Sequence, residues 1–349
     1  MTGYIVLFFF IILFCISKSL KVKCLGTLAT LIGFSAFRYG IGYDYYMYLQ
    51  YITGEYVRYM EPLPQFLAIL SRNTSPYLFF VLTSIIINLL FIISLKHISI
   101  KDHKYDMRFL WYFGFPYLFF SSLGLIRQFL AYSFIFYAIC YFYNQRWKQL
   151  FCIIIASLCH TSAIICIIYL LPLQKINRVI LWISFLFSFV MGEFLIKGIA
   201  EINSNLYAYA RLQEYIGLEG MYSGGTYLKF LIYTFSFLTL LKYDKIVNKN
   251  PDYKYYVSAA IIGAVFCALF SVSAPISKRI CTFFFMSSLV FIPSFYSVYR
   301  IKLRHSFIIS ITLFIMYAYV QHVTTLNDRP PYDLRGYSSV YPYRTIFSL

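Results

Sequence analysis

The chain has 349 residues, of which 60% are hydrophobic and only 12% charged. Soluble domains carry roughly a quarter charged residues, so this composition excludes a water-soluble globular protein and predicts a polytopic membrane protein. The net charge is +17, but the basic residues are scattered singly between apolar runs, which argues against nucleic-acid binding.

A membrane span needs about 20 apolar residues. Runs of that kind lie at 3–20, 24–37, 76–95, 107–122, 127–143, 179–198, 226–242, 256–273, 279–299 and 306–322. The first is followed by no small-residue cleavage site and is read as a retained helix. No polar stretch is long enough for a soluble domain, so residues 1–349 are expected to form a single integral-membrane domain. With a further helical hairpin at 149–173, the predicted fold is all-α with about 10–12 transmembrane helices. There is no internal repeat.

Between the runs lie the informative stretches. Phe37 to Tyr48 is polar and tyrosine-rich, holds Gly40 and Gly42, and is read as the wall of a site. Residues Glu61 to Ser71 are too short to span. Their apolar positions Leu63, Phe66, Leu67 and Leu70 predict an external helix lying in the interface, with Glu61 just before the prolines of its first turn. The segment 149–173 is expected to be two short helices meeting near Cys159-His160-Thr161. Fourteen residues separate Arg146 from His160, about 21 Å of helix, so His160 is placed deep in the membrane or near its outer face. A backbone turn at such depth needs protein or water around it. The long loop 199–225 and the tail from Thr324 are expected to fold over the external face.

Orientation follows from Lys and Arg in the loops. One side carries Lys18, Lys21, Lys23, Lys96, Lys101, Lys104, Arg108, Arg146, Lys148, Lys175, Arg178, Lys242, Lys245, Lys249, Lys254, Arg300, Lys302 and Arg304. Those are 18 of the 30 cations, with only 4 of the 13 acids, so this side is read as cytoplasmic. Both termini, the Arg38–Asp44 stretch, Arg127, the Lys278-Arg279 corner and the tail then lie outside.

Each candidate site residue has a functional and a structural reading. Arg127, at the start of an apolar helix, is either an anion clamp aimed into an external cavity or a side chain that snorkels to headgroups. Gln128 beside it favours the clamp. Lys278 and Arg279 break the positive-inside trend at an external helix N-terminus; a bound phosphate would explain them, as would an interfacial anchor. His160 is either a hydrogen-bonded structural histidine or a proton acceptor. Asp44 either pairs with Arg38 or accepts a proton from a hydroxyl. Gly40 and Gly42 would let a ligand approach the backbone. The tyrosines suit an interfacial belt or stacking on sugar rings. All eight cysteines lie in apolar runs without CxxC and are read as small buried hydrophobes. There is no P-loop, HExxH, GxSxG or DxD-like cluster, so no metal site and no metal-bound nucleotide-sugar donor is expected.

Taken in order, these segments resemble the EpsG/Wzy group of bacterial polysaccharide polymerases. Phe37-Arg38-Tyr39-Gly40-Ile41-Gly42-Tyr43-Asp44-Tyr45 is similar to its F-R-x-x-x-G-x-D-Y segment, with Tyr43 where threonine is commoner. Glu61-Pro62 with Phe66 resembles its E-P-x-F helix, and Ile126-Arg127-Gln128-Phe129-Leu130-Ala131 its I-R-Q-x-L-A segment. Ala156 to Ala163 resembles A-x-x-x-H-x-S-A. Arg279 stands where the family has an arginine opening a late span. Tyr341-Pro342-Tyr343-Arg344 resembles its terminal P-Y motif.

The resemblance implies a GT-C-like enzyme of the bacterial inner membrane, active on the periplasmic side. It would join undecaprenyl-diphosphate-linked oligosaccharides without a cofactor, with a chain-length regulator and a flippase as suggested partners. The implied catalytic residues are Arg127, Arg279 and, as alternative bases, Asp44 or His160. Arg38, Gly42, Tyr45, Glu61, Gln128, Lys278 and Tyr343 would bind substrate. A glycan ligase, or a transporter or assembly component for lipid-linked oligosaccharides, are the alternatives.

Overall fold

The computed structural model describes residues 2–42, 44–55, 60–115, 118–202, 224–271, 274–326 and 345. The chain forms two compact units, residues 1–164 with 303–349, and residues 165–302. Tyr343 and most of the 199–225 loop and of the tail lie outside the described residues.

The first unit contains α1 (Thr2–Cys15), α2 (Leu20–Ala36), α3 (Tyr45–Thr53), α4 (Pro62–Arg72), α5 (Tyr77–Ser99), α6 (Tyr105–Gly114), α7 (Ile126–Phe142) and α8 (Arg146–Cys159). The second holds α9 (Arg178–Ile202), α10 (Gly224–Leu241), α11 (Tyr243–Val247), α12 (Tyr253–Leu269), α13 (Ala274–Phe285) and α14 (Ser288–Val298). The chain then returns to the first unit as α15 (Leu303–Leu326). The architecture of the described residues is therefore all-helical, with a helix in each region where the sequence predicts a span.

In the first unit α1 packs on α2, α2 on α5, α5 on α7 and α7 on α8, while α15 lies against α6. A polar knot ties α2 to α5: Asn88 Nδ2 donates to Ser35 Oγ at 3.2 Å and to the Ser84 carbonyl at 2.8 Å. At one end of this bundle Lys23 pairs with Asp106, and Arg108 grips Asp102 through two hydrogen bonds of 2.7 Å. His97 stacks on Tyr141 at 3.9 Å between ring centroids. The cation-rich ends of α2, α5 and α6 and the end of α7 therefore lie together. Arg38, Asp44, Glu61 and Arg127 belong to the opposite helix ends, as the loop charges predict for this unit.

In the second unit α9, α10 and α13 all pack on α12. Gly263 lets α12 and α13 approach closely, since a Cβ there would stand 3.0 Å from the Cys281 carbonyl. Such small-residue contacts are usual between membrane helices. Tyr255 donates to the Tyr169 carbonyl at 2.7 Å, and Tyr169 to the Phe283 carbonyl at 2.8 Å.

Several helices are shorter than the runs that predict them. Among the described residues one helix, Tyr77–Ser99, is long and apolar enough to cross a membrane alone; Ile276–Phe285 and Ser288–Val298 would do so together, bent by 70°. α7 and α12 have 17 residues each, about 25 Å. The expected span 107–122 stops at Gly114 because Pro116 disfavours helix at the residue before it, and Phe115 is accordingly extended. At the α13–α14 bend, Ser287 Oγ bonds the Tyr256 and Phe284 carbonyls at 2.9 and 2.6 Å. The segment 149–173 breaks where expected: α8 ends at Cys159, His160 is extended, and Thr161–Leu170 continues as a 3-10 helix. Ten residues is long for that geometry. Seven of the eight cysteines are buried and all are free thiols, in keeping with their reading as small hydrophobes.

α4 forms where expected and packs on α3, α5 and α8 through Pro64, Leu67, Ala68 and Ser71, leaving the apolar Phe66 and Leu70 exposed. One expectation is corrected, that for Arg279. The helix that carries it starts at Ala274, because Pro275 suits a first turn. Arg279 therefore stands one turn inside α13 instead of opening it.

The Phe37–Tyr48 stretch is fixed by one glycine. Gly42 has φ +109°, and a Cβ there would lie 2.2 Å from the Leu123 carbonyl oxygen. The substitution Gly42→Ala is expected to cost at least about 2 kcal/mol through strain alone. Gly33→Ala, at a helical position with nothing within 4 Å of the added Cβ, is expected to be neutral or to gain up to about 1 kcal/mol. Thermal unfolding of the detergent-solubilised protein checks both, and equal midpoints for the two variants would contradict this account.

Candidate functional site

Arg127 lies in the first turn of α7, directly after the short 3-10 turn Phe120–Leu123 against which Gly42 is pressed. That contact brings the start of α3 to the start of α7. Tyr48, one turn into α3, then reaches Arg127: Nε of the arginine donates to its hydroxyl at 3.4 Å. Nη1 donates to Glu61 Oε2 at 2.6 Å. Glu61 sits at the N-cap position of α4 with an extended backbone. The pair is largely buried, at 18% and 8% side-chain exposure. The remaining Nη donors of Arg127 bond no described residue.

The other oxygen of Glu61 is approached from α8's end, where Thr161 Oγ1 donates to Oε1 at 3.4 Å. The preceding residue, His160, is the extended residue that terminates α8, with φ −159° and ψ 122°. Its Nδ1 lies 2.7 Å from Ser162 Oγ and 3.2 Å from the Ser162 backbone nitrogen. α3, α4, α7 and the α8 break thus converge on one cluster of Tyr48, Glu61, Arg127, His160 and Thr161.

The electrostatics follow from this geometry. Burial raises the pKa of the Glu61 carboxyl, but the Arg127 charge and backbone hydrogen bonding pull it down, and the net value is lowered. Glu61 is therefore a carboxylate and a weak base. Burial raises the Tyr48 pKa, and the charge of Asp44 adds to this, so the phenol keeps its proton beside Arg127. A partly desolvated guanidinium with unused donors can bind a phosphate oxygen strongly.

The other expected site residues are placed as follows. Asp44 is half-buried at the N-cap position of α3. Arg38 is 2% exposed, bonds the Ser35 and Ile41 carbonyls, and stacks over Phe80 at 5.3 Å. It is turned inward and holds its own loop. The close approach that Gly42 permits is to the Leu123 carbonyl of this chain. Tyr45 stacks on Phe80 with ring centroids 4.4 Å apart, and its buried hydroxyl finds no hydrogen-bond partner among the described residues. Gln128 is 2% exposed, and neither end of its amide is hydrogen-bonded to a described residue. Lys278 and Arg279 belong to the second unit, both half-buried on α13.

Tyr48 and Thr161 were not expected at the site. The signal for Tyr48 is its spacing of four from Asp44, which puts both on one face once α3 is helical. Nothing in the run of five tyrosines separates it from its neighbours without that helix.

The sequence profile described as the EpsG family matches residues 21–345 of the chain. No curated protein and no solved structure matches it.

The Arg127–Glu61 pair predicts strong coupling. In a double-mutant cycle with R127A and E61A, each single variant leaves a lone buried charge, and the interaction energy is expected to be about 1–3 kcal/mol. Additive losses would contradict the pair. The lowered Glu61 pKa also fixes a sign. Its stabilisation is present above the unfolded value of about 4.3 and is lost as pH falls through the lower folded value. The thermal-midpoint gap between wild type and E61Q is therefore expected to narrow below about pH 4; a pH-independent gap would overturn this.

Proposed function

Because the chain belongs to the EpsG family, we propose that it is a membrane glycosyltransferase that polymerises lipid-linked oligosaccharide repeat units. In this reading the substrates carry undecaprenyl diphosphate. The reaction takes place at the periplasmic face of the bacterial inner membrane. The observation that carries it is the largely buried Arg127, fixed by Glu61 and Tyr48, with guanidinium donors that bond no other described residue.

The chemistry needs three things from the protein. An acceptor hydroxyl oxygen forms a bond to the anomeric carbon of the growing chain as the bond from that carbon to the diphosphate oxygen breaks. The hydroxyl proton passes to a base, and the lipid diphosphate leaves with the electron pair. Arg127 would stabilise the charge that develops on this leaving group, from a position held before the reaction starts. Asp44 and His160 are the candidate bases. The acceptor unit also bears a lipid diphosphate, so the enzyme handles two such groups. Lys278 and Arg279 are proposed to bind diphosphate as well. The gathering of Arg38, Asp44, Glu61 and Arg127 at the cation-poor ends of the first unit supports an external site, since cytoplasmic loops are the cation-rich ones.

Purified protein given lipid-linked repeat units is expected to yield a ladder of glycan lengths and free lipid diphosphate. R279A is expected to lose polymer while remaining folded. A product formed only with a different acceptor would identify a ligase instead, and movement of labelled substrate across vesicles without a new bond would identify a transporter.

A further inference from the structure

The His160 ring is held by a residue two positions ahead. Ser162's backbone nitrogen is 3.2 Å from Nδ1, and its hydroxyl oxygen is 2.7 Å away. A main-chain N–H can only donate, so Nδ1 must be the acceptor and cannot carry a proton in this arrangement. The hydroxyl adds a second potential donor to the same lone pair. The ring proton is then on Nε2. The contact is built into the backbone: His160 is the extended residue closing α8, and the Ala163 nitrogen bonds its carbonyl at 2.9 Å, starting the 3-10 helix that sets Ser162 over the ring.

The charges around the ring do not undo this. Glu61 would favour a second ring proton, but Arg127 stands 2.6 Å from that carboxylate and offsets its charge. The only lone pair through which a neutral imidazole could take a proton is the one that Ser162 covers. We infer that His160 presents Nε2–H to the substrate as a hydrogen-bond donor and is not the base that removes the acceptor proton. This rests on the polymerase reading above for its substrate, though not for its tautomer. The base is then a carboxylate. Glu61 is held by Arg127 and Thr161, and Asp44, at the start of α3, is the other carboxylate already proposed for that task.

Two measurements test this. Nitrogen NMR of full-length protein labelled at histidine, with the His160 signal identified by its absence in H160Q, is expected to show a bare Nδ1 and a protonated Nε2 at neutral pH. A protonated Nδ1, in the other tautomer or in the imidazolium, overturns the inference. In polymerisation, glutamine supplies an amide N–H near the Nε2 position but no basic nitrogen. H160Q is therefore expected to keep activity within about tenfold of wild type, whereas H160A falls by about a hundredfold. If H160Q is as inactive as H160A with an unchanged thermal midpoint, the donor role is wrong. Failure of the wild type to make polymer would count against the polymerase reading, and the NMR result would still decide the tautomer.

Discussion

The ion pair between Arg127 and Glu61 organises the first unit's functional end. Both groups are costly to bury, and each is tolerable mainly because of the other. Their union dictates where α4 must begin, since Glu61 occupies its N-cap position, and where α7 must begin, since Arg127 lies in its first turn. Tyr48 and Thr161 complete the polar contacts. The rest of that end is arranged so these two side chains can meet: Gly42 lies against the Leu123 carbonyl, α3 projects its tyrosine, and α8 stops at His160.

The architecture divides its labour accordingly. The middle of the first unit is built from helices whose buried faces are apolar, tied by isolated polar bonds such as Asn88 to Ser35. The functional end is built from short pieces: α3, α4, one 3-10 turn and one extended histidine. Short elements leave many backbone donors and acceptors outside regular helix bonding. Those groups are what fix the site, as the Ser162 N–H fixes His160. The break after Cys159 interrupts a run that is continuous in composition.

Much of this was legible in the sequence. Hydropathy located every apolar helix, loop charge predicted which helix ends share a side within the first unit, and the ordered motifs pointed to the family. The break at His160 agrees with loop charge, which puts Arg146 and Lys148 before this segment and Lys175 and Arg178 after it on the same side. What hydropathy could not see was helix phase and helix ends. Leu63, Phe66, Leu67 and Leu70 read as one apolar face of α4, and only the packed helix shows Leu67 turned to its neighbours while Phe66 and Leu70 stay exposed. Arg38 and Arg127 look alike as arginines at apolar borders. Only the folded chain shows the first serving backbone carbonyls and the second a carboxylate. The tyrosines of the opening stretch differ in role for the same reason: Tyr45 packs on Phe80 while Tyr48 meets Arg127.

A contact away from the chemistry narrows what position 127 can be. Arg72, in the last turn of α4, donates to the carbonyls of Ile52 and Tyr51 at 2.7 and 2.9 Å, closing the end of α3 where Gly54 turns left-handed. This clasp makes α3 and α4 one stiff arm, so the Tyr48 hydroxyl and the Glu61 carboxylate are presented at a fixed separation. A planar guanidinium spans the two with nitrogens that diverge from one carbon. Lysine offers a single nitrogen as a point charge, and a rigid arm cannot close around it. Cation identity at the site is thus tied to a bond between α3 and α4 made at the opposite end of α4 from Glu61.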